Sequence, residues 1–246
     1  VEPSDRFSAA RFVALADPTL DAIIARSRLP IVVGGTGLYV RALFHGLFPT
    51  PKADPALRRR LKEERDRLGT PALHQRLVKV DPESAERLAP NDFVRISRAL
   101  EIYEQVGRPA SELRRAHAFR GWRRPALLLG LRLAPEVLKA RIDMRVDGML
   151  ARGWLREVEE LCEAGYGESH PMGALGYRQL AAHARGDLSY EEAVRLTKRD
   201  TRRFARRQRN WFSQEDGVIW YEEPFDAIRG DALRGRLDAV AEDFGR

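Results

Sequence analysis

Residues 30–39 have the sequence Pro-Ile-Val-Val-Gly-Gly-Thr-Gly-Leu-Tyr. The β-branched run predicts a short strand over 30–33, Gly34, Gly35 and Gly37 predict a turn, and helical spacing of apolar residues follows. This order leaves backbone N–H groups at the start of the helix, where an anion or a nucleotide can bind. Glycines of this kind also occur where a helix packs closely on a sheet. The stretch therefore predicts an α/β element and leaves its ligand open.

The patterns on either side of this turn divide the chain into a core and an insertion. Helical spacing covers residues 8–27, where Asp17-Pro18 predicts a kink or a restart. Residues 51–117 are almost wholly helical in pattern, with predicted starts at Asp54-Pro55, Thr70-Pro71, Asp81-Pro82 and Asn91-Asp92. Beyond them we predict two strands, over 126–133 and 218–221. We also predict four helices: one over 135–152, a second from there to 164, a third over 189–213 and a fourth near 225–242. The sequence therefore predicts an α/β core, residues 1–50 and 118–246, with a helical insertion over 51–117.

Composition excludes several classes of protein. The chain has 246 residues, of which 43% are hydrophobic, enough for a sizeable core. No apolar run approaches the roughly 18 residues that a membrane span requires, so we expect no membrane partner. Cys162 is the single cysteine, which rules out an intrachain disulfide and suits a reducing cytoplasm. The five histidines are too scattered to predict a metal site.

The charge distribution favours a polyanionic partner. The net charge is +7, and seven basic residues lie between 198 and 209 with Asp200 as the single acid. They are Lys198, Arg199, Arg202, Arg203, Arg206, Arg207 and Arg209. Arginines that alternate with aromatic residues on one helix are typical of single-stranded RNA recognition. The alternative is an ordinary amphipathic helix that buries Phe204 and Trp211 in the core.

A second basic pattern precedes this helix. Arg141, Arg145 and Arg152 share a narrow helical stripe with Gly148, and such a stripe can bind a diphosphate. The alternative is a solvated face offset by the nearby acids Glu157 and Glu159. The phosphate-binding motif Gly-x-x-x-x-Gly-Lys-Ser/Thr is absent, because none of the five lysines precedes a serine or threonine.

Five motifs, in this order, resemble the tRNA dimethylallyltransferase (tRNA isopentenyltransferase) family. They are residues 30–39, Asn91-Asp-x-x-Arg95-x-x-Arg98-Ala-Leu-Glu101, Arg141-x-x-x-Arg145-x-x-x-Met149-x-x-x-Gly153, Gly176-Tyr-Arg178 and Thr201-Arg-x-x-Ala-x-Arg-Gln208-x-x-Trp211. The resemblance implies a P-loop kinase-like α/β core with an inserted helical domain that contacts tRNA. It implies transfer of a dimethylallyl group from dimethylallyl diphosphate to N6 of the adenine next to the anticodon (position 37). It also implies Mg²⁺ as cofactor, the tRNA anticodon stem-loop as partner, and a cytoplasmic enzyme that we expect to be a monomer.

The resemblance also assigns individual residues. Arg145 matches the position that contacts the substrate diphosphate. The tRNA-facing positions match Thr36, Arg58, Arg95, Arg98, Arg178, Arg206, Arg207, Gln208 and Trp211. The chain departs from the family at Phe93, usually proline, at Gly173, commonly polar, and at Asn210 and Ser213, usually threonine and arginine. The departures at Gly173 and Ser213 leave the tRNA contacts there open.

Family members carry a P-loop and a catalytic aspartate ahead of the stretch that Val1-Glu-Pro resembles. We therefore expect a truncated chain, inactive alone, in which no residue can be assigned as general base, P-loop threonine or metal ligand. Two other classes of function stay open. One is another P-loop transferase, such as a nucleotide kinase, and the other is a non-catalytic RNA-binding module.

Overall fold

The computed structural model describes residues 2–5, 7–47, 50–117, 121–222 and 233–238. The chain divides into two compact units, Val1–Phe44 with Arg124–Arg246, and His45–Arg123. In chain order the described helices are α1 (Ala9–Ile24), α2 (Gly37–His45), α3 (Pro55–Leu68), α4 (Thr70–Val80), α5 (Pro82–Arg87), α6 (Phe93–Val106), α7 (Ala110–His117), α8 (Pro135–Ala151), α9 (Trp154–Leu161), α10 (Tyr177–Ala184) and α11 (Tyr190–Phe212). The strands are β1 (Leu128–Arg132) and β2 (Val218–Glu222).

Helix α1 is continuous, so the predicted restart at Asp17-Pro18 is wrong, while the alternative of a kink there stays a prediction. Ser8 caps the helix by accepting a hydrogen bond from the Arg11 N–H at 3.2 Å. The Asp17 carboxylate does not cap a second helix, because it pairs with the Arg124 guanidinium at 3.3 Å. Pro18 therefore lies inside one helix, where it removes a single backbone donor.

The predicted strand over 30–33 is also wrong, and residues 34–36 form no regular turn, although the helix after them is confirmed. Ile31 and Val33 are 80% and 90% exposed, and residues 28–36 form neither helix nor strand. A strand requires a partner for its backbone groups, and the two described strands pair with each other, in parallel, from Leu128↔Val218 to Arg132↔Glu222. A β-branched run alone does not supply that partner.

In the unit His45–Arg123, helices α3 to α6 begin where local signals place them. Asp54, Asp81 and Asp92 cap α3, α5 and α6 by accepting backbone hydrogen bonds at 2.8 to 3.2 Å, and α4 begins at Thr70. The four predicted helix starts are therefore confirmed to within one residue. The core of this unit consists of Leu57, Leu61, Leu73, Leu77, Ala85, Ile96, Ala99, Leu100, Ile102 and Ala110.

The other unit contains the two-stranded sheet and the helices α1, α2 and α8 to α11. Its main core cluster consists of Val146, Trp154, Val158, Met172, Leu180, Ala181 and Ala193. The predicted helix over 189–213 is confirmed as α11, and the predicted strands are confirmed as β1 and β2. Most of the helix predicted near 225–242 lies outside the described residues. The part that is described, 233–238, is helical. Within the described ranges, no helix has the length and apolar character needed to cross a membrane.

Candidate nucleic-acid interface

The glycine turn packs against the carboxyl-terminal end of α11. The Gln208 side-chain amide donates a hydrogen bond to the Gly35 carbonyl at 3.0 Å. A Cβ atom at Gly35 would lie 2.2 Å from Gln208 Nε2, and one at Gly37 would lie 2.1 Å from Trp211 Nε1. Neither glycine has a positive φ. A side chain at Gly37 would have to displace the rigid Trp211 ring, whereas at Gly35 the end of the Gln208 side chain would have to move. Two distant motifs of the sequence therefore meet at one place.

Thr36 lies between these two packed glycines. Its carbonyl accepts hydrogen bonds from the Tyr39 and Val40 N–H groups at 2.8 and 3.2 Å, which starts α2. Thr36 is exposed to solvent. Residues of α11 thus contact the glycines on both sides of Thr36, while Thr36 itself remains accessible to solvent.

Two residues that the sequence analysis missed complete this cluster. The Arg41 guanidinium lies over the Trp211 ring, 4.6 Å from its centroid, and forms an ion pair with Glu215. The Trp211 indole N–H is buried and has no acceptor among the described residues. Arg41 follows Gly37 by one helical turn and Glu215 follows Trp211 by four residues. That spacing is the only signal in the sequence, and it does not predict that the two pairs meet.

Acidic side chains neutralise the first half of the basic cluster on α11. Lys198 pairs with Asp147 at 2.6 Å, and Arg202 binds both oxygens of Asp143 at 2.6 and 2.8 Å. Both acids belong to α8, so these ion pairs join two helices. Their geometry supports a structural role for Lys198 and Arg202.

Asp200 neutralises another part of the cluster. It lies 2.9 Å from Arg199, 3.4 Å from Arg178 and 3.8 Å from Arg203, and it accepts a hydrogen bond from Gln179 at 2.9 Å. The hydrogen bond from Arg199 is the main reason that the pKa of Asp200 is below its ordinary value. Arg178, predicted to face tRNA, is therefore anchored to this carboxylate while its side chain remains largely exposed.

The second half of the cluster has a different environment. Arg206, Arg207 and Arg209 are exposed, and none pairs with an acid among the described residues. Arg207 lies 5.7 Å from the centroid of the Phe204 ring, which is 37% exposed, so burial of Phe204 in the core is wrong. Because three uncompensated cations and an accessible aromatic ring share the end of one helix, this surface suits an RNA strand.

Arg145 lies on α8, exposed, with no hydrogen bond or ion pair among the described residues. The buried residues of this helix are Ile142 and Val146. Glu157, proposed above as a counter-charge for the stripe, instead accepts a hydrogen bond from the Tyr177 hydroxyl at 2.5 Å. The Arg145 guanidinium is thus available to an anionic ligand.

The predicted site residues of the unit His45–Arg123 are placed differently. Arg58 and Arg98 both bind Glu101, whose side chain is 1% exposed, and Arg98 also donates to the Pro51 carbonyl at 2.9 Å. Arg95 pairs with its own helix cap, Asp92, and its side chain is 71% exposed. Of these three, Arg95 is the most accessible to a ligand, whereas Arg58 and Arg98 stabilise a buried acid.

Among the described residues, no group of three or more His, Cys, Asp or Glu side chains is arranged to hold a metal ion. Mg²⁺ uses one or two carboxylates together with water and substrate phosphates. The acids nearest to Arg145 along α8, Asp143 and Asp147, are already paired with Arg202 and Lys198.

Comparison with known proteins identifies relatives of the chain. The family model described as IPP transferase matches residues 1–215. A tRNA dimethylallyltransferase from Anaeromyxobacter dehalogenans (strain 2CP-1) is 52% identical over 242 residues, covering 98% of this chain and 79% of the relative. One from Symbiobacterium thermophilum is 50% identical, covering 90% of this chain and 69% of that relative.

Two solved structures extend the comparison to the fold. The tRNA isopentenylpyrophosphate transferase of Bacillus halodurans superposes with a TM-score of 0.65 and 33% identity, covering all of this chain and 77% of that one. A eukaryotic dimethylallyltransferase acting on tRNA superposes with a TM-score of 0.76 and 27% identity, covering 96% of this chain and 62% of that one. These similarities confirm the α/β fold that the resemblance implied. The chain therefore belongs to the tRNA dimethylallyltransferase family of prenyltransferases.

Proposed function

We propose that this chain binds the anticodon stem-loop of tRNA and the diphosphate of dimethylallyl diphosphate, for transfer of the dimethylallyl group to N6 of the adenine at position 37. The observation that carries the proposal is the junction of the glycine turn with the uncompensated end of α11. Gln208 and Trp211 join the two, and Arg206, Arg207 and Arg209 supply cations beside them. Family membership supplies the reaction type.

The reaction breaks the bond between the allylic carbon and a diphosphate oxygen and forms a bond between that carbon and the adenine N6. Negative charge develops on the departing diphosphate, and the amine must lose a proton to a base. We assign Arg145 to offset the developing charge, because a guanidinium binds phosphate oxygens with two N–H groups. We assign the general base to no residue of this chain.

The adenine has to leave the stacked anticodon loop before its amine can reach the donor. The exposed Phe204 ring, with Arg207 beside it, offers a surface on which a base can stack. Thr36 is accessible at the front of the turn. We assign these residues, together with Arg206, to RNA binding, and we assign Arg95 of the helical unit to the same partner because it is highly exposed.

Mg²⁺ is part of the proposal through the phosphates of the donor, where it would help to neutralise charge. No residue of the chain is assigned to it. The 246 residues contain no Gly-x-x-x-x-Gly-Lys-Ser/Thr motif, so we further propose that they do not carry out transfer alone. The single cysteine remains in keeping with a cytoplasmic location.

A transfer assay tests the proposal. The 246-residue chain, and the same chain extended by the P-loop segment that the resemblance implies, are incubated with tRNA and dimethylallyl diphosphate. The tRNA is then digested and its adenosines are analysed by mass spectrometry. We expect dimethylallyl adenosine at position 37 with the extended chain only. Transfer of phosphate without prenylation would support the kinase alternative, and prenylation by the shorter chain would show that it is complete for catalysis.

A further inference from the structure

The ion pair of Arg41 with Glu215 lies behind the proposed interface and has no part in the function proposed so far. Arg41 is on α2, Glu215 follows α11, and 174 residues of sequence separate them. Besides the short contact between Arg41 Nη2 and a Glu215 oxygen, Arg41 Nε lies 3.4 Å from Glu215 Oε2. The two side chains are 30% and 12% exposed. The pair is therefore partly withdrawn from solvent and joins two elements of the interface.

The partly buried Trp211 ring contacts both the Arg41 guanidinium and the glycine turn. Its indole nitrogen approaches Gly37 so closely that no Cβ atom fits there, and the Arg41 guanidinium lies over the ring. Contact with Gly37 leaves the ring little room to move, and the cation over it adds an attraction that depends on the orientation of the guanidinium. Glu215 sets that orientation.

We propose that Arg41 and Glu215 are positioning residues that hold Trp211 against Gly37, so that the turn presents Thr36 to the RNA in one fixed position. The inference rests on the proposed function, since it takes the turn and α11 as the RNA-binding surface. Trp211 transmits the effect because Gly37 directly follows Thr36. Gln208 fixes the other side of Thr36 through its hydrogen bond to Gly35.

The proposal makes an acid favourable for binding a polyanion, and this separates it from simple electrostatics. Removing a negative charge from an RNA-binding surface ordinarily strengthens binding, because repulsion of the phosphates falls. If Glu215 holds Arg41 in place, its removal has the opposite effect. Asp216 is the matched control, because it adjoins Glu215, is exposed, and forms no ion pair or hydrogen bond among the described residues.

The experiment measures the binding of an anticodon stem-loop to the 246-residue chain and to its Glu215→Gln and Asp216→Asn variants, over a series of salt concentrations. We expect Glu215→Gln to weaken binding by about threefold to tenfold, the effect of losing one oriented cation–π contact. We expect Asp216→Asn to leave affinity unchanged or slightly improved. Equal effects of the two substitutions, in either direction, would overturn the proposal.

Arg41→Lys provides a second measurement that does not depend on Glu215→Gln folding. Lysine keeps the charge and loses the planar guanidinium. We expect weaker binding with an unchanged salt dependence, together with greater quenching of Trp211 fluorescence by acrylamide, identified by comparison with Trp211→Phe. Wild-type affinity in a folded Arg41→Lys variant would also overturn the proposal.

If the wild-type chain does not prefer the anticodon stem-loop at all, the proposed function fails. If it does prefer the stem-loop and Glu215→Gln matches Asp216→Asn, only the positioning role fails.

Discussion

At the scale of the residue, the glycines of the turn differ in the space that each leaves for a side chain. Gly34 has no atom within 4 Å of the position of a Cβ, whereas Gly37 faces the Trp211 ring. Gly37→Ala must displace that ring, which we expect to lower the free energy of unfolding by about 1–3 kcal/mol, the usual cost of overpacking. Chemical denaturation of Gly37→Ala measures this loss.

Gly34→Ala is the control for this substitution, because it adds the same methyl group to the same turn without a neighbour to meet. We expect it to unfold like the wild type and to bind the anticodon stem-loop normally. An equal loss of stability in both variants would show that the turn requires glycine for its conformation, and would contradict the role assigned to Trp211.

Glu101 links the stability of the helical unit to pH. Burial alone would raise the pKa of this carboxyl, but hydrogen bonds from Arg98 and Arg58 outweigh burial and hold the pKa below its ordinary value of 4.5. A lowered pKa in the folded state stabilises the fold above the ordinary value, and that stabilisation is lost as the pH falls through the folded-state value. We expect Glu101→Gln to be less stable near neutral pH and to lose less stability on acidification.

Denaturation of the wild type and Glu101→Gln, from neutral pH to below 4.5, measures this difference. Parallel losses in the two proteins would show that other carboxyls dominate.

The same contacts affect how Arg98 is tested. Arg98→Ala should cost about 1.5–3 kcal/mol of stability through the lost charged hydrogen bond to Glu101, so any effect on RNA binding has to be measured in the folded protein.

At the scale of the element, α11 is divided into a paired half and an exposed half. We expect Arg206→Ala to lower the slope of log affinity for tRNA against log salt by about 0.7 to 0.9, the value for one phosphate contact. Arg202→Ala is the matched control on the same helix, because its guanidinium is bound to Asp143. It should lower thermal stability and leave the slope nearly unchanged. Equal slope changes would mean that RNA competes for the whole basic face.

Helix α8 carries a separate prediction. Arg145→Ala should impair the use of dimethylallyl diphosphate in the catalytically competent protein that carries this sequence, because it removes a charge-assisted contact to the leaving group. Lys139→Ala, on the same helix beside Glu136, is its control and should leave donor use unchanged. Steady-state kinetics with the donor varied measures the effect. If Arg145→Ala instead weakened tRNA binding with the salt signature of Arg206→Ala, the stripe would be another RNA-binding surface.

Local chemistry explains which elements could be predicted from the sequence. The helix starts at 54–55, 81–82 and 91–92 depend on a capping aspartate and the residues that follow it, and the structure has them there. The strand expected over 30–33 depends on a partner elsewhere, which periodicity does not reveal. Periodicity also does not reveal which arginines are paired, because their partner acids lie far away in the sequence. Arg202 is neutralised by Asp143 on another helix, whereas Arg206 is not.

At the scale of the whole molecule, the structure separates the helical unit His45–Arg123 from the α/β unit. The sequence predicted a helical insertion over 51–117, and its contact with tRNA remains a prediction. Motifs far apart in the sequence could be attributed to one interface only through the family resemblance. The contacts that join them, from Gln208 to Gly35 and from Arg41 to Glu215, span 173 and 174 residues, and no pattern in the sequence predicts them.

The most direct test of the account is the affinity of the 246-residue chain for an anticodon stem-loop with adenine at position 37, compared with an unrelated RNA hairpin of the same length and charge. Both are measured over a series of salt concentrations, for the wild type and for Arg206→Ala. We expect tighter binding of the stem-loop at every salt concentration and a shallower salt dependence for Arg206→Ala. Equal affinity for the two RNAs, with the same salt dependence in wild type and variant, would contradict it.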